Sequence, residues 1–315
     1  MIRCLAGGVL VAVFLGIPSL VQTRAAPLPA SGQPLQIHVN LVNVPVNVTD
    51  AHGRPVTGLK RGDFALSEDG KPQRIRLFQA NAAQPVSVVL AIDTSVSVRS
   101  DLPVARQAAV GFAQSFLRPE DRVELLNFSG NVTKLVPFTA NLHRFDQGLG
   151  RMRADGPTAL YAAIARGAAD LRPFPGRKVI VVISDGSNSI AGIDYQEART
   201  AALRAQASIE SIILVPIDAN AGRDLGGEHA LIQLSRDTGG IYLYADASNS
   251  LRDAMTRLSL ALRSEYLLGY YPTSTQTPGV ETGGFRRIQV RLTRPVLDRA
   301  CHLDYRTGYY AEAAP

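Results

Sequence analysis

Cysteine and dense blocks of charge are both scarce in this chain. Only two cysteines occur among its 315 residues, Cys4 and Cys301, so no internal disulfide remains if the segment around Cys4 is removed. The 33 Lys and Arg residues exceed the 27 Asp and Glu residues and give a net charge of +6, but they are spread along the chain. Without a basic block or an aromatic-basic ladder, we expect no nucleic-acid partner.

Sequence motifs of the common enzyme classes are missing as well. The chain has no Walker phosphate-binding loop and no G-x-S-x-G nucleophile elbow. Its five histidines are scattered, which favours surface or core positions over a role as a catalytic base. We therefore expect a protein that is not an enzyme.

Residues 1–26 have the layout of an export signal. Arg3 supplies the positive start, Leu5–Val21 is apolar, and small residues up to Ala25 mark the expected cleavage point. We expect an exported protein, located in the periplasm, on the cell surface or secreted, with residues 27–34 as a linker. The alternative is a retained signal anchor, the only arrangement in which the membrane would be a partner.

The middle of the chain alternates between buried strands and helices. Val86–Ile92, Lys178–Ile183 and Ser211–Ile217 are apolar runs of the kind found in strands that are buried on both faces. Helical stretches separate them, such as 104–116, where apolar residues recur at every fourth position. This alternation predicts an α/β domain over 86–263 with a doubly wound, mostly parallel sheet.

Segments with the period of β-strands flank this domain at 35–85 and 264–315. Apolar residues fall at nearly every second position of 35–48, and Val56–Leu59 is one of several further short strands. We expect an N-terminal β module that pairs with the C-terminal β segment in a small sandwich, with the α/β domain inserted between them. Two unrelated β tails are the alternative.

Carboxylates and hydroxyls follow the buried strands of the predicted sheet. Asp93, Ser95 and Ser97 stand at alternate positions after the first strand, Thr158 precedes a helix, and Asp185 follows the second strand. Ligands of open α/β sheets bind beyond the carboxyl ends of the strands, where these residues would meet. Hard oxygen donors without imidazole or thiolate predict Mg²⁺, with Mn²⁺ or Ca²⁺ as alternatives, and argue against zinc. The other interpretation is that the two serines only cap the following helix.

The motifs resemble those of a von Willebrand factor A domain with a metal-ion-dependent adhesion site. That family has D-x-S-x-S, here at 93–97, then a Thr in a loop before a helix, here in G-P-T-A-L, then an Asp after a later buried strand, here in S-D-G. All five positions match, although Pro157 stands where the family usually has Gly. The resemblance covers roughly 86–262 and implies a Rossmann-like fold and a metal whose open position takes a carboxylate from a protein partner.

The flanking segments are similar to exported A-domain proteins of Acidobacteria, over 50–73, 266–272 and 306–311. Together the resemblances imply an exported, metal-dependent, adhesion-type module that binds a protein partner through an acidic residue. One alternative is a cell-envelope scaffold in which the metal only stabilises the loops. Another is a metal-dependent phosphohydrolase built on Asp93 and Asp185, but Ser95 stands where such enzymes place their second carboxylate.

Three further aspartates are expected near the same edge of the sheet. Asp155, Asp194 and Asp218 each fall in a loop, where a solvated or helix-capping role is the simplest interpretation. Asp155 is the best candidate for a residue that supports the metal ligands by hydrogen bonding.

Overall fold

Three β-sheets and seven helices form the part of the chain that the structure describes. The structure is a computed structural model, and it describes residues 41–80, 84–215, 223–245, 248–273 and 284–311. The predicted signal 1–26, the linker 27–34 and Asp218 lie outside the described residues. No helix in these described ranges is long and apolar enough to span a bilayer.

The central sheet confirms the predicted fold class. Its six strands, in chain order, are β5 (Val86–Asp93), β6 (Arg122–Phe128), β7 (Val132–Thr139), β8 (Arg177–Ser184), β9 (Ala207–Leu214) and β10 (Tyr242–Ala245). They lie in the order β10-β9-β8-β5-β6-β7. All neighbouring pairs are parallel except β6 and β7, which pair antiparallel at one edge. The sheet is therefore doubly wound and mostly parallel, and β5 lies at its centre.

Helices cover both faces of this sheet. They are α1 (Leu102–Phe116), α2 (Leu142–Gly150), α3 (Leu160–Leu171), α4 (Tyr195–Ala205), α5 (Leu225–Thr238) and α6 (Ser248–Ser264). One apolar cluster joins α1, α2 and α6 to one face, and a second joins α3, α4 and α5 to the other. Successive residues of β5 enter alternate clusters, and all eight are buried. Its continuous apolar sequence is therefore explained by burial on both faces.

The predicted first residue of the third buried strand is wrong. The strand was predicted over Ser211–Ile217, and β9 instead begins four residues earlier, at Ala207. Ser208 and Glu210 are polar, yet both are fully or almost fully buried in the strand. Their polar groups are satisfied by each other at 2.6 Å and by the backbone of Ile241. This pairing is tertiary, and the apolar pattern alone could not indicate it.

Two four-stranded sheets flank the central domain. Their strands are β1 (Val42–Thr49), β2 (Phe64–Glu68), β3 (Lys71–Gln73), β4 (Leu77–Ala80), β11 (Tyr266–Tyr270), β12 (Phe285–Leu292), β13 (His302–Tyr305) and β14 (Gly308–Tyr310), with a short helix α7 (Pro295–Ala300) after β12. The orders are β13-β1-β11-β4 and β14-β12-β2-β3. Strands from before and after the central domain thus pair antiparallel in both sheets, and one apolar cluster joins the sheets.

One predicted strand of the flanking sheets is wrong. Val56–Leu59 is not a strand, although Leu59 is buried and Val56 is half-buried. One side chain bonds the backbone of both residues, because the Tyr266 hydroxyl accepts from Leu59 N at 3.1 Å and donates to Val56 O at 2.9 Å. The N–H of Val56 donates to Val48 O of β1 at 2.8 Å, but the segment does not continue as a strand and is a loop held by the tyrosine.

A buried cluster of charges joins the flanking sheets to the central domain. Arg177, the first residue of β8, donates to both carboxylate oxygens of Glu265 at 2.7 and 2.9 Å. Glu265 lies between α6 and β11 and also accepts from Asn47 of β1 at 3.2 Å. A second carboxylate, Glu210, lies 3.6 Å from the same guanidinium. Two buried carboxylates therefore share one arginine.

Because Glu210 is buried in this cluster, we expect the free energy of unfolding to depend on pH. Burial is the main cause that raises the pKa of Glu210 to about 7 from an ordinary 4.5. The folded state holds the proton more tightly, so the contribution of Glu210 to stability is complete below pH 4.5 and is lost as the pH rises through about 7. We expect the free energy of unfolding to fall by roughly 2–4 kcal/mol across this window, since one pKa unit corresponds to about 1.4 kcal/mol.

Denaturant unfolding of the wild type and Glu210→Gln at several pH values measures this effect. Burial also raises the pKa of Glu124 to about 7, so Glu124 titrates in the same window in both proteins. The difference between the two pH slopes, rather than either slope alone, isolates Glu210. Parallel slopes would show that Glu210 does not titrate in this range.

Candidate metal centre

The five predicted metal ligands lie at the carboxyl edge of the central sheet. Asp93 is the last residue of β5, Asp185 directly follows β8, and Thr158 lies two residues before α3. Asp93, Ser95 and Thr158 are only 2–3% exposed, whereas Ser97 is exposed and Asp185 is half-buried. Three of the five predicted ligands are therefore buried, and Ser97 and Asp185 are accessible to solvent.

The Asp93 carboxylate is held by two hydrogen bonds. Its Oδ1 accepts from the backbone N–H of Ser95 at 2.8 Å, and its Oδ2 accepts from the Ser184 hydroxyl at 2.6 Å. No Lys, Arg or His of the described residues forms an ion pair with it. This buried carboxylate is fixed in orientation without a neutralising side chain from the described part of the chain.

The hydroxyls of Ser95 and Ser97 lie beside each other, with their oxygens 3.0 Å apart. Ser95 precedes a single 3₁₀ turn, Val96–Val98, and its side chain makes no capping hydrogen bond to that turn. Helix α1 begins after Asp101, which makes no side-chain cap either. The structure thus disagrees with the interpretation in which the two serines only cap the following helix.

Hydrogen bonds bring the Thr158 segment against the Asp93 loop. The N–H of Val96 donates to Gly156 O at 3.1 Å, and the N–H of Asp155 donates to Thr94 O at 2.8 Å. Gly156 has a backbone φ of +71°, which residues other than glycine rarely adopt. The loop turns here, immediately before Pro157.

Thr158 is also tied to the loop that follows β8. Its N–H donates to the Ser189 hydroxyl at 2.9 Å, and its carbonyl accepts from the N–H groups of Ser189 and Ile190 at 2.9 and 3.1 Å. These three hydrogen bonds fix the backbone of Thr158 next to the proline that departs from the family pattern. The three predicted segments therefore meet in one place.

The loop that carries Asp185 is packed tightly against the start of α5. Asp185 Oδ1 accepts from the N–H of Ser187 at 3.0 Å, which leaves Oδ2 free of that turn. Gly186 has φ +91°, and a Cβ there would lie 2.5 Å from the carbonyl carbon of Gly227. Only glycine fits at this contact, so the position of the Asp185 backbone is set by the packing of two glycines.

Negative charge accumulates at this edge of the sheet. Burial raises the pKa of Asp93 to about 6, and the neighbouring Asp185 carboxylate adds to the increase. Burial, together with the same Asp185 carboxylate, also raises the pKa of Asp101. The Asp101 side chain makes no capping hydrogen bond to α1. A divalent cation among these groups would favour their charged forms.

The donors that the structure brings together fit a hard divalent cation. The described residues contain no group of three His, Cys, Asp or Glu side chains placed to hold a metal by themselves. Two carboxylates and three hydroxyls are available instead, and all five are oxygen donors. Mg²⁺ is held in proteins by one or two carboxylates with further oxygens and retained waters, and this set has that composition.

The other aspartates predicted near this edge of the sheet do not join the five candidate ligands in the described structure. Asp194 caps α4, since its carboxylate accepts from Glu197 N at 2.8 Å while Glu197 accepts from Asp194 N at 2.9 Å. Asp155 is exposed, and its backbone rather than its side chain contacts the Asp93 loop. Asp218 lies outside the described residues.

Comparisons with known proteins agree with this fold. Residues 88–188 match the family model of the von Willebrand factor type A domain, a range that contains all five candidate ligands. A von Willebrand factor type A structure from Catenulispora acidiphila has 12% identity and a TM-score of 0.52, covering 88% of this chain and 75% of that one. The central domain thus has the fold of a von Willebrand factor A domain, and its sequence matches that domain from β5 to just after β8.

Two other solved structures are similar at lower coverage. Proximal thread matrix protein 1 from the mussel byssus has 13% identity and a TM-score of 0.51 over 62% of this chain and 51% of that one. An aerotolerance-related membrane protein from Bacteroides fragilis has 22% identity and a TM-score of 0.45 over 55% of this chain and 98% of that one. No curated protein matches the sequence significantly.

Proposed function

We propose that the chain is an exported, adhesion-type module that binds a protein partner through a divalent metal at the carboxyl edge of its central sheet. Ser95, Ser97 and Thr158 would hold the metal through their hydroxyls. Asp93 and Asp185 would hold it directly or through water. The metal would supply a Lewis-acidic position that accepts a carboxylate oxygen from the partner.

The observation that carries this proposal is the buried Asp93 carboxylate beside a pair of serine hydroxyls. Burying a carboxylate without a cation is unfavourable, and this unfavourable burial raises the pKa of Asp93. The two hydroxyls bond each other and cap no helix, so they are free to turn towards a cation. A bound Mg²⁺ would satisfy all three side chains at once.

The location of the site favours an interaction over catalysis. Ser97 is exposed at the sheet edge, and three apolar side chains in the segments that follow β5, β8 and β9 are exposed as well: Val96 at 54%, Ile193 at 38% and Leu225 at 67%. Val96 begins the 3₁₀ turn after β5, Ile193 lies in the loop after β8, and Leu225 is the first residue of α5. A surface of this kind fits a protein that places a carboxylate on the metal and apolar side chains beside it. We propose no catalytic residue.

Thr158→Val tests whether partner binding depends on the metal. Valine has the shape of threonine without its hydroxyl, so the variant should fold while it loses one metal ligand. We expect immobilised wild-type protein to retain a surface or envelope protein in Mg²⁺ and to release it on chelation. Thr158→Val should retain much less of it, whereas Asp155→Asn, an exposed carboxylate in the same loop, should behave as the wild type.

The same experiment separates the adhesion proposal from a scaffold with a purely stabilising metal. In that alternative, chelation would lower the melting temperature by linkage but leave the partner bound. Retention of the same partner in chelator and by Thr158→Val would contradict the adhesion proposal. Retention that is lost in both would support it.

A further inference from the structure

A small cavity lies where the flanking sheets meet the opposite end of the central domain, away from the candidate metal centre. Its volume is about 40 Å³. Asn43, Leu267 and Arg306 line it from the flanking sheets, and Arg177, Gln206 and Thr238 line it from the central domain. By the same measure one water molecule needs about 10–15 Å³, so the cavity has room for a few waters or for a monatomic ion.

Arg306 lines this cavity as a buried cation that has no ion-pair partner in the described part of the chain. Its side chain is only 6% exposed, and its Nε has no hydrogen-bond acceptor. Across the described residues, the Arg306 guanidinium forms no ion pair and no side-chain hydrogen bond, and it lies over the Tyr309 ring, 5.6 Å from the ring centroid. Burial lowers the pKa of Arg306 to about 10, so it remains charged at neutral pH. A buried donor left without an acceptor is costly, and a charged one more so.

The nearby carboxylates are engaged by other groups. Glu265 accepts two hydrogen bonds from Arg177, and Glu68 accepts from the hydroxyls of Tyr270 and Tyr309 at 2.6 and 2.9 Å. Arg177 and Lys178 also line the cavity, but Arg177 is paired with Glu265 and Lys178 donates to the Arg172 carbonyl at 3.2 Å. Arg306 is therefore the lining cation that has no ion pair among the described residues.

A second buried polar group without a hydrogen-bond partner among the described residues belongs to Asn43, which lines the same cavity. The Asn43 Oδ1 is buried and has no hydrogen-bond donor in the described part of the chain. The oxygen and nitrogen of an asparagine amide exchange places by a half-turn, which would present two N–H donors instead. The amide of Asn43 can therefore add donors to the guanidinium that already faces the cavity.

We propose that this cavity binds a chloride-sized anion, held by the Arg306 guanidinium and the Asn43 amide. The anion would accept hydrogen bonds from the buried guanidinium and balance its charge. Because the lining comes from both the central domain and the flanking sheets, the anion would link the two parts of the fold. The two walls cannot close further onto the cavity at Gly239, because a Cβ there would already lie 2.2 Å from the backbone nitrogen of Arg306.

Thermal unfolding of the full chain in sodium chloride and in sodium gluconate of equal ionic strength tests this proposal. Gluconate is a much larger and more weakly binding anion than chloride, so we expect the wild type to melt a few degrees higher in chloride, by linkage to the folded state. Arg306→Met keeps the apolar length of the side chain and removes its donors, and it should lose the difference. Arg306→Lys should keep part of it, and Arg291→Gln, an exposed arginine of β12, should keep all of it.

Diffraction from wild-type crystals soaked in bromide provides a test that needs no variant. We expect an anomalous scattering peak inside the cavity beside Arg306, because bromide replaces chloride in such sites. A cavity without that peak would overturn the proposal, as would equal melting temperatures in the two salts, and both results would indicate that water alone fills the space. A chloride effect that persists in Arg306→Met would also overturn it, because the ion would then bind elsewhere.

Discussion

Asp93→Ala is expected to lower the affinity for Mg²⁺ by about 100-fold or more, and to do so without unfolding the protein. Even a residue that only supports a metal ligand typically contributes 10- to about 100-fold to affinity, and Asp93 lies at the centre of the donor set. Its carboxylate is 2% exposed and has its pKa raised to about 6, so removing it also removes a buried charge. Removing the buried charge favours folding, whereas losing the hydrogen bonds from Ser95 and Ser184 disfavours it.

Calorimetric titration with Mg²⁺ and denaturant unfolding without metal measure the two halves of this prediction. We expect the free energy of unfolding in chelator to change by no more than about 1 kcal/mol, because the two effects offset each other. Asp93→Asn is the matched variant that keeps the shape and one acceptor oxygen but no charge. Wild-type affinity in Asp93→Ala would exclude Asp93 from the site.

Arg177→Met is expected to have the largest effect on stability, a loss of about 3–5 kcal/mol. The Arg177 guanidinium is 6% exposed and holds Glu265 with two hydrogen bonds, while Glu210 lies 3.6 Å away. Methionine fills similar space but leaves two buried carboxylates without a cation. Breaking one side of a buried ion pair is more damaging than removing the pair.

Denaturant unfolding of three variants tests this explanation. Arg172→Met changes an exposed arginine just after α3 and should have almost no effect. Arg177→Met combined with Glu265→Leu should recover part of the lost stability, since no partner of that pair is then left charged. A loss below about 1 kcal/mol in Arg177→Met would show that the cluster does not hold the two parts of the fold together.

Strands β5 and β8 could be located from the sequence because they are apolar at almost every position. Burial on both faces by helices leaves few positions for polar side chains, so apolar residues dominate both sequences. The start of β9 could not be located in the same way. Its first half contains Glu210, and a buried carboxylate is predictable only when its partners on other elements are known.

Helix α2 shows a second limit of the pattern. Nothing in the sequence analysis predicted it, and two glycines in its last turn, Gly148 and Gly150, argue against a helix on propensity alone. The structure explains the first of them, because a Cβ at Gly148 would lie 2.1 Å from Val136 of β7. Close packing of the helix on the sheet requires glycine there, and this requirement is invisible without the neighbouring strand.

The candidate site divides in the same way. The types and spacing of Asp93, Ser95 and Ser97 could be read from the chain, since all three belong to one loop. The residues that hold the site in place could not. Ser184 orients the Asp93 carboxylate and Ser189 fixes the Thr158 backbone, and each acts across loops that are distant in sequence.

The most direct test of the metal centre is a calorimetric titration of Mg²⁺ into the wild type and into Ser95→Ala/Ser97→Ala. Acetate should be present at saturating concentration, because it can supply the carboxylate that a partner would otherwise bring. We predict one Mg²⁺ bound per wild-type chain and no measurable binding to the double variant, which folds with the same melting temperature in chelator. Equal binding by both proteins, or no binding by the wild type even with acetate, would contradict the proposed site.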